Sequence, residues 1–147
     1  MIDRSYIGQE WPPQTVEVEK GRLRFFAKAI GETNPIYTDD AAARAAGYRA
    51  LPIPPTYLFC LENEVPDPFA RLTAMGVDLR KLLHGEQHFK YYAPVCAGDT
   101  LTFFPRIADI YDKKGGKLEF IVKETTVKDK AGAVVAELRS VLVIRHG

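Results

Sequence analysis

A chain of 147 residues, 46% of them hydrophobic, is long enough to bury one substantial core, so a single domain over residues 1–147 is the expectation. A formal net charge of +1 without a basic cluster argues against nucleic acid as a partner, and the longest apolar runs fall far short of a bilayer span. Residues 1–5 lack a basic region followed by an apolar run, so export is not expected and a soluble, cytoplasmic protein is the plain reading.

The first predicted element is a short strand, Thr15 to Val18, after Trp11-Pro12-Pro13. From Lys20 the period changes. Leu23, Phe26, Ala27 and Ile30 recur at helical spacing while Lys20, Arg22, Arg24 and Lys28 fill the other face, which predicts an amphipathic helix ended by Gly31. The next stretch, Gly31 to Tyr37, is polar and interrupted by Pro35, and reads as an ordered loop. Thr38 or Asp39 can cap a short helix that runs to Ala46 and closes at Gly47. Pro54-Pro55 can open a further helix, because proline is tolerated in a first turn, and Tyr57 to Leu61 are apolar on every side, as in a buried helix.

Pro66 to Pro68 break that helix, and Phe69 to Met75 form another turn or two. Strand-like patterns then fill Glu86 to Pro94, Thr100 to Tyr111, Leu118 to Val127 and Val134 to Arg145, separated by turn residues at 97–99, 113–116 and 129–132. In the third of these strands Leu118, Phe120 and Val122 alternate with Glu119, Lys123 and Thr125, which predicts that the leucine, phenylalanine and valine face the core. Long hairpin-linked strands with one apolar face need a cover, and the helix after Pro54-Pro55 supplies it. The fold class is therefore α+β.

Cys60 and Cys96 show no metal or redox spacing and read as inert thiols, and no metal site is expected. His84 and His88 share a face in a strand, so both can look into one cleft, while His146 lies at the terminus without an evident role. Tyr57, Phe59, Phe89, Tyr91, Tyr92, Phe103 and Phe104 are core by position, and the same residues suit an apolar ligand tunnel. Arg44, Arg49 and Arg71 read as a solvated face, or as partners for an anionic ligand.

The loop Gly31-Glu32-Thr33-Asn34-Pro35-Ile36-Tyr37 resembles the signature loop of the MaoC-like (R)-specific enoyl-thioester hydratases and dehydratases, Gly-Asp-x-Asn-Pro-(Ile/Leu)-His. Ala50 to Phe59 and His84 to Leu101 resemble that family's entry to its central helix and its second strand with the following Ala-Gly-Asp turn. The resemblance implies a hotdog fold, a long curved antiparallel sheet wrapped around a central helix. It implies no cofactor, and a substrate that is an acyl-CoA or acyl-carrier-protein thioester. It further implies a homodimer, or a heterodimer with a second hotdog subunit.

Two positions depart from the pattern. Glu32 stands at the family's catalytic Asp and Tyr37 at its catalytic His, which resembles the branch found as the N-terminal half or non-catalytic subunit of double-hotdog dehydratases. Hydrating an enoyl thioester needs a base for water, a proton donor for the α carbon, and N–H groups at the thioester oxygen. Histidine titrates near neutrality, whereas a phenol ordinarily titrates at about 10 and serves as a hydrogen-bond donor. The catalytic positions are thus Glu32 and Tyr37, both altered, and the substrate-binding candidates are Asn34, Thr56, Tyr57, His84 and His88. Three functions stay open: a hydratase/dehydratase subunit dependent on a partner, a non-catalytic acyl-thioester binding protein, and a hotdog thioesterase using Glu62 or Glu64.

Overall fold

Five antiparallel strands in the order β1-β3-β4-β5-β2 form the sheet of the computed structural model, which describes residues 1–147. The elements are β1 (Gln14–Glu17), α1 (Lys20–Ala29), α2 (Asp40–Ala45), α3 (Tyr57–Glu62), α4 (Ala70–Ala74), β2 (Leu82–Tyr91), β3 (Thr100–Lys113), β4 (Leu118–Lys128) and β5 (Val134–Arg145). Short 3₁₀ turns at Arg4–Tyr6, Pro35–Tyr37 and Leu79–Lys81 join them. No helix is long and apolar enough to cross a membrane.

The helix that the sheet covers is short. Pro54 and Pro55 start it, and only Tyr57 to Glu62 are helical, but Tyr57, Leu58, Leu61 and Glu62 are all buried. Leu58 and Leu61 are fully enclosed with Leu101, Phe103, Val127, Ala136 and Leu138 of the sheet. Removing either leucine side chain should cost about 2–5 kcal/mol. A second cluster, with Ile2, Leu72, Met75, Ile107, Ile110, Ile121 and Ile144, lies at the other end of the sheet.

Between the two clusters the helix-facing side of the sheet is polar, and here the expected face of β4 is reversed. Glu119, Ile121, Lys123, Thr125 and Val127 share the helix-facing side, with Glu119, Ile121 and Val127 fully buried, whereas Leu118 and Phe120 lie on the outer face and are only partly buried; of the expected triplet only Val122 is buried, at 2% exposure. On that outer face Phe120 stacks on Tyr111 at 4.7 Å between centroids, and Lys113 lies 5.3 Å from the Phe120 ring centre. The buried polar groups are tolerated because they are partnered. Glu119 accepts from the Ile2 N–H at 2.8 Å and pairs with His146 Nε2 at 2.8 Å, so His146 ties the C-terminal segment to the core and is not idle as expected.

Strand β2 begins earlier than expected, at Leu82, and contains a β-bulge between His84 and Glu86. His84 pairs with Leu142 and His88 with Arg139, an odd offset, so the two histidines fall on opposite faces of the sheet. This corrects the expectation of one shared cleft. Glycine is required at the bulge, since a Cβ on Gly85 would sit 2.8 Å from Val143 Cγ2 and 3.1 Å from the Val141 carbonyl oxygen.

Candidate functional site

Helix α1 ends in a hydrogen-bonded pattern that places the loop behind it. Gly31 adopts φ 71°, its N–H donates to the Lys28 carbonyl at 3.2 Å, and the Glu32 N–H donates to the Ala27 carbonyl at 2.9 Å. Glu32 is thereby fixed three residues past the last helical residue, Ala29. Its carboxylate turns back on the loop, with Oε1 accepting from the N–H groups of Thr33 and Asn34 at 2.9 Å each. Asn34 Oδ1 accepts from the Ile36 N–H at 3.2 Å and caps the 3₁₀ turn that carries Tyr37. Asn34 is therefore engaged in shaping the loop.

Tyr37 closes one side of a cleft of about 400 Å³ whose other walls include Tyr48, Pro52, Pro55, Tyr91 and Tyr92. The loop thus meets the approach to α3. The Tyr91 hydroxyl donates to the Pro55 carbonyl, joining the end of β2 to that approach. Burial, with Tyr37 nearby, pushes the Tyr91 phenol up to about 12. Burial also raises Tyr37, and the neighbouring Glu32 carboxylate and Tyr48 add to the effect. These phenols stay protonated across the physiological range, so they can donate hydrogen bonds but do not serve as bases.

At the start of α3 the N–H groups of the two candidates there, Thr56 and Tyr57, differ. The Tyr57 N–H already donates to the Pro54 carbonyl at 3.0 Å, closing the turn, and the Tyr57 side chain packs on Phe26 at 5.0 Å between ring centroids. The exposed Thr56 N–H has no partner within the chain, and Pro54 and Pro55 have no N–H to offer. Of the two, only the Thr56 N–H remains free.

The other candidates lie elsewhere. His84 rests edge-on against Phe59 at 5.1 Å, contacts the Glu86 carbonyl at 3.0 Å, and lines a second cavity of about 580 Å³ with Trp11, Phe69, Leu72 and Leu142. His88 stands on the outer face, paired with the Glu86 carboxylate at 3.1 Å. Neither histidine lines the Tyr37 cleft. Arg49 pairs with Asp99, whose carboxylate also accepts the Cys96 N–H at 2.9 Å, so it braces the Ala-Gly-Asp turn and is not simply solvated. Glu64 pairs with Arg22. Glu62, expected to be solvated near the helix end, is 6% exposed and forms an ion pair with Lys123 at 3.0 Å while accepting from the Thr125 hydroxyl. Burial pushes both the Cys60 and Cys96 thiols up, away from the reactive thiolate.

Among the cleft residues, Tyr48 was not singled out from the sequence, and Tyr91 and Tyr92 were weighed only as core or tunnel residues, because aromatic side chains in apolar runs have the same pattern whether they fill a core or line a cleft. A weak signal was present, since Tyr91-Tyr92 immediately precede Ala93-Pro94, where β2 ends.

A buried helix held by a meander of long antiparallel strands, with a Gly-x-x-Asn-Pro loop meeting the approach to that helix, defines a hotdog domain of the MaoC-like dehydratase type. Residues 5–138 match the family described as FAS1-like, dehydratase domain region, and the chain belongs to that family. A UPF0336 protein of Streptomyces avermitilis is 36% identical over 145 residues, spanning 98% of this chain and 95% of the relative. The C-terminally truncated HadBC (3R-hydroxyacyl-ACP dehydratase) complex of Mycobacterium tuberculosis contains a chain with TM-score 0.79 and 26% identity, covering 94% of this chain and 96% of that one. The (R)-hydratase of A. caviae involved in PHA biosynthesis has the same fold, with TM-score 0.71 and 18% identity over 92% of this chain and 94% of its own.

Proposed function

We propose that the chain is a subunit of an (R)-specific enoyl-thioester hydratase or 3-hydroxyacyl dehydratase that keeps the fold and the cleft but leaves proton transfer to a second hotdog subunit bearing an Asp/His pair. The observation that carries this reading is the composition of the cleft: Tyr37 occupies the histidine position among three further tyrosines, and the Glu32 carboxylate is held by its own loop. The arrangement suits an acyl thioester, with apolar walls of Pro52, Pro55 and Val95, phenolic donors, and the free Thr56 N–H near the helix start. Strand β2 pairs only with β5, so its other edge is open to a second hotdog, and Tyr91 and Tyr92 at its end bring that edge to the cleft. Similarity to a chain of the HadBC complex supports a partnered dehydratase.

The thioesterase alternative loses its carboxylate, because Glu62 is buried in an ion pair and Glu64 is bound to Arg22. The non-catalytic alternative, an acyl-thioester binding protein, shares the same cleft and differs only in lacking an active partner. Hydration of crotonyl-CoA by the purified chain, alone and co-expressed with a hotdog carrying Gly-Asp-x-Asn-Pro-x-His, separates them. The expected result is background activity alone and turnover by the complex. Brisk hydration by the chain alone, abolished by Glu32→Gln, would overturn the proposal, and a stable but inactive complex would favour the binding protein.

A further inference from the structure

The cations of the chain are unevenly placed. No lysine, arginine or histidine lines the Tyr37 cleft. At the opposite end of β2, a depression of about 320 Å³ has Arg80, Lys81, Arg145 and His146 in its lining. The register gathers these groups: Leu82 pairs with Ile144 and Leu118 with Arg145, so Lys81, Arg145 and Lys117 belong to three strand ends that finish side by side. The ten residues of β2 separate this corner from the cleft end at Tyr91, about 30 Å of extended strand.

The acidic groups near the corner are already taken. Asp78 binds the Arg80 guanidinium at 2.8 Å, Asp112 binds Arg4 at 3.0 Å, and the buried Glu119 is held by the Ile2 N–H and by His146. Lys81, Lys117 and Arg145 are exposed and have no carboxylate partner, so three cations are left facing solvent at one place. Like charges gathered in this way repel one another and raise the local concentration of anions, which makes the corner a site for an anionic group.

Pairing along the open edge of β2 brings the corner to a different cleft from the chain's own. A two-fold axis normal to the sheet runs the two edge strands antiparallel and keeps both central helices on one side of a continuous sheet. The start of β2 in one subunit then lies beside the end of β2 in the other, which is where the cleft opens. We propose that Lys81 and Arg145, with Lys117 beside them, bind the phosphate of the thioester carrier whose acyl group occupies the partner's cleft. Both carriers, coenzyme A and an acyl carrier protein, bear a phosphate on the pantetheine arm, and cations without a carboxylate partner are the groups that recognise it. The identity of the thioester rests on the hydratase reading. The two side chains are positioning residues: they hold the carrier and touch no reacting atom, so they act on binding and not on the chemical step.

The test uses the complex of this chain with the hotdog that carries the Asp/His pair, and the crotonyl thioesters of coenzyme A, of an acyl carrier protein and of phosphate-free pantetheine. With Lys81→Ala and Arg145→Ala together, KM for crotonyl-CoA should rise at least about ten-fold at unchanged kcat, while kcat/KM for crotonyl-pantetheine stays within about two-fold of wild type. A parallel rise with the carrier-protein thioester assigns the contact to the phosphate that both carriers share, and a rise with crotonyl-CoA alone assigns it to the nucleotide phosphates. Lys130→Ala, in the turn between β4 and β5, should change none of these values. Calorimetry of coenzyme A binding to the complex reads the same residues without turnover, and the double variant should weaken that binding at least about ten-fold. If the complex hydrates nothing, the hydratase reading fails while the calorimetry still decides the inference. Coenzyme A that does not bind the wild-type complex or binds the double variant equally well, an equal loss with crotonyl-pantetheine, or failure of the two chains to assemble would each overturn the inference.

Discussion

Replacing Lys123 with methionine tests whether the polar centre of the sheet is a coupled unit. In the wild type the Glu62 and Lys123 side chains are 3% and 13% exposed and lie 3.0 Å apart, with the Thr125 hydroxyl as the other partner of Glu62. Lys123→Met leaves a buried carboxylate with one hydroxyl, a situation that typically costs about 3–5 kcal/mol. The contact of Lys123 with Trp11 adds up to about 1 kcal/mol at most. At about 2–4 °C per kcal/mol for a chain of this size, Tm should fall by about 6–24 °C. The triple change Lys123→Met, Glu62→Met and Thr125→Val removes every member of the network and should restore stability to within about 1 kcal/mol of wild type or above it, because apolar groups of similar volume pack there without desolvation cost. Urea unfolding followed by Trp11 fluorescence and circular dichroism gives both values. A single variant that loses less than about 1 kcal/mol, or a triple variant whose loss is the sum of the separate losses, would refute the coupling.

Gly85→Ala should destabilise the fold by about 1–3 kcal/mol, since the new methyl meets Val143 Cγ2 at 2.8 Å and the Val141 carbonyl at 3.1 Å; Val143→Ala should relieve only the first contact, and full rescue in urea unfolding would contradict the geometry. Tyr91 has a folded-state phenol raised to about 12 from the ordinary value of about 10, so its contribution is complete below pH 10 and is lost as pH rises toward 12. The wild type should therefore weaken across that window more than Tyr91→Phe does in parallel urea titrations, and identical profiles would refute this. Glu32→Asp with Tyr37→His should raise crotonyl-CoA hydration at least about ten-fold over the unmodified chain, short of the hundred- to ten-thousand-fold that each member of a well-supported acid/base pair contributes. No gain from a folded double variant would show that more than these two side chains has been lost.

The strands β3, β4 and β5 and helix α1 were legible almost to the residue, because each is long enough for its period to dominate. The parity of β4 was not. Alternation says only that two faces differ, and the apolar triplet Leu118, Phe120, Val122 was assigned to the core, where only Val122 is buried, although Glu119, Lys123 and Thr125 have partners that come from outside the strand: Ile2, His146 and Glu62. No local pattern carries that information, since the partners lie far away in sequence. Gly85 inside a strand was a readable sign of a bulge, and weighing it would have separated His84 from His88. The loop from Gly31 to Tyr37 was recognisable by type. Its donors were not, since whether Tyr57 or Thr56 keeps a free N–H depends on how the Pro54-Pro55 turn closes.

The two departures in the loop have a common physical consequence. A histidine at position 37 would need a partner to fix its tautomer and aim it, yet the groups around Tyr37 are phenols and a carboxylate, with Tyr91 committed to the Pro55 carbonyl and Glu32 to the N–H groups of Thr33 and Asn34. The Tyr91 hydroxyl and Glu32 Oε1 are thus already used to hold backbone in place. Such a cleft gains rigidity from the same contacts that remove its reactivity, which is the property expected of a surface that positions an acyl thioester for chemistry carried out by a neighbouring chain. The open edge of β2 ends at Tyr91, so a second subunit pairing there would place its own loops beside this cleft without any rearrangement of Gly31 to Tyr37.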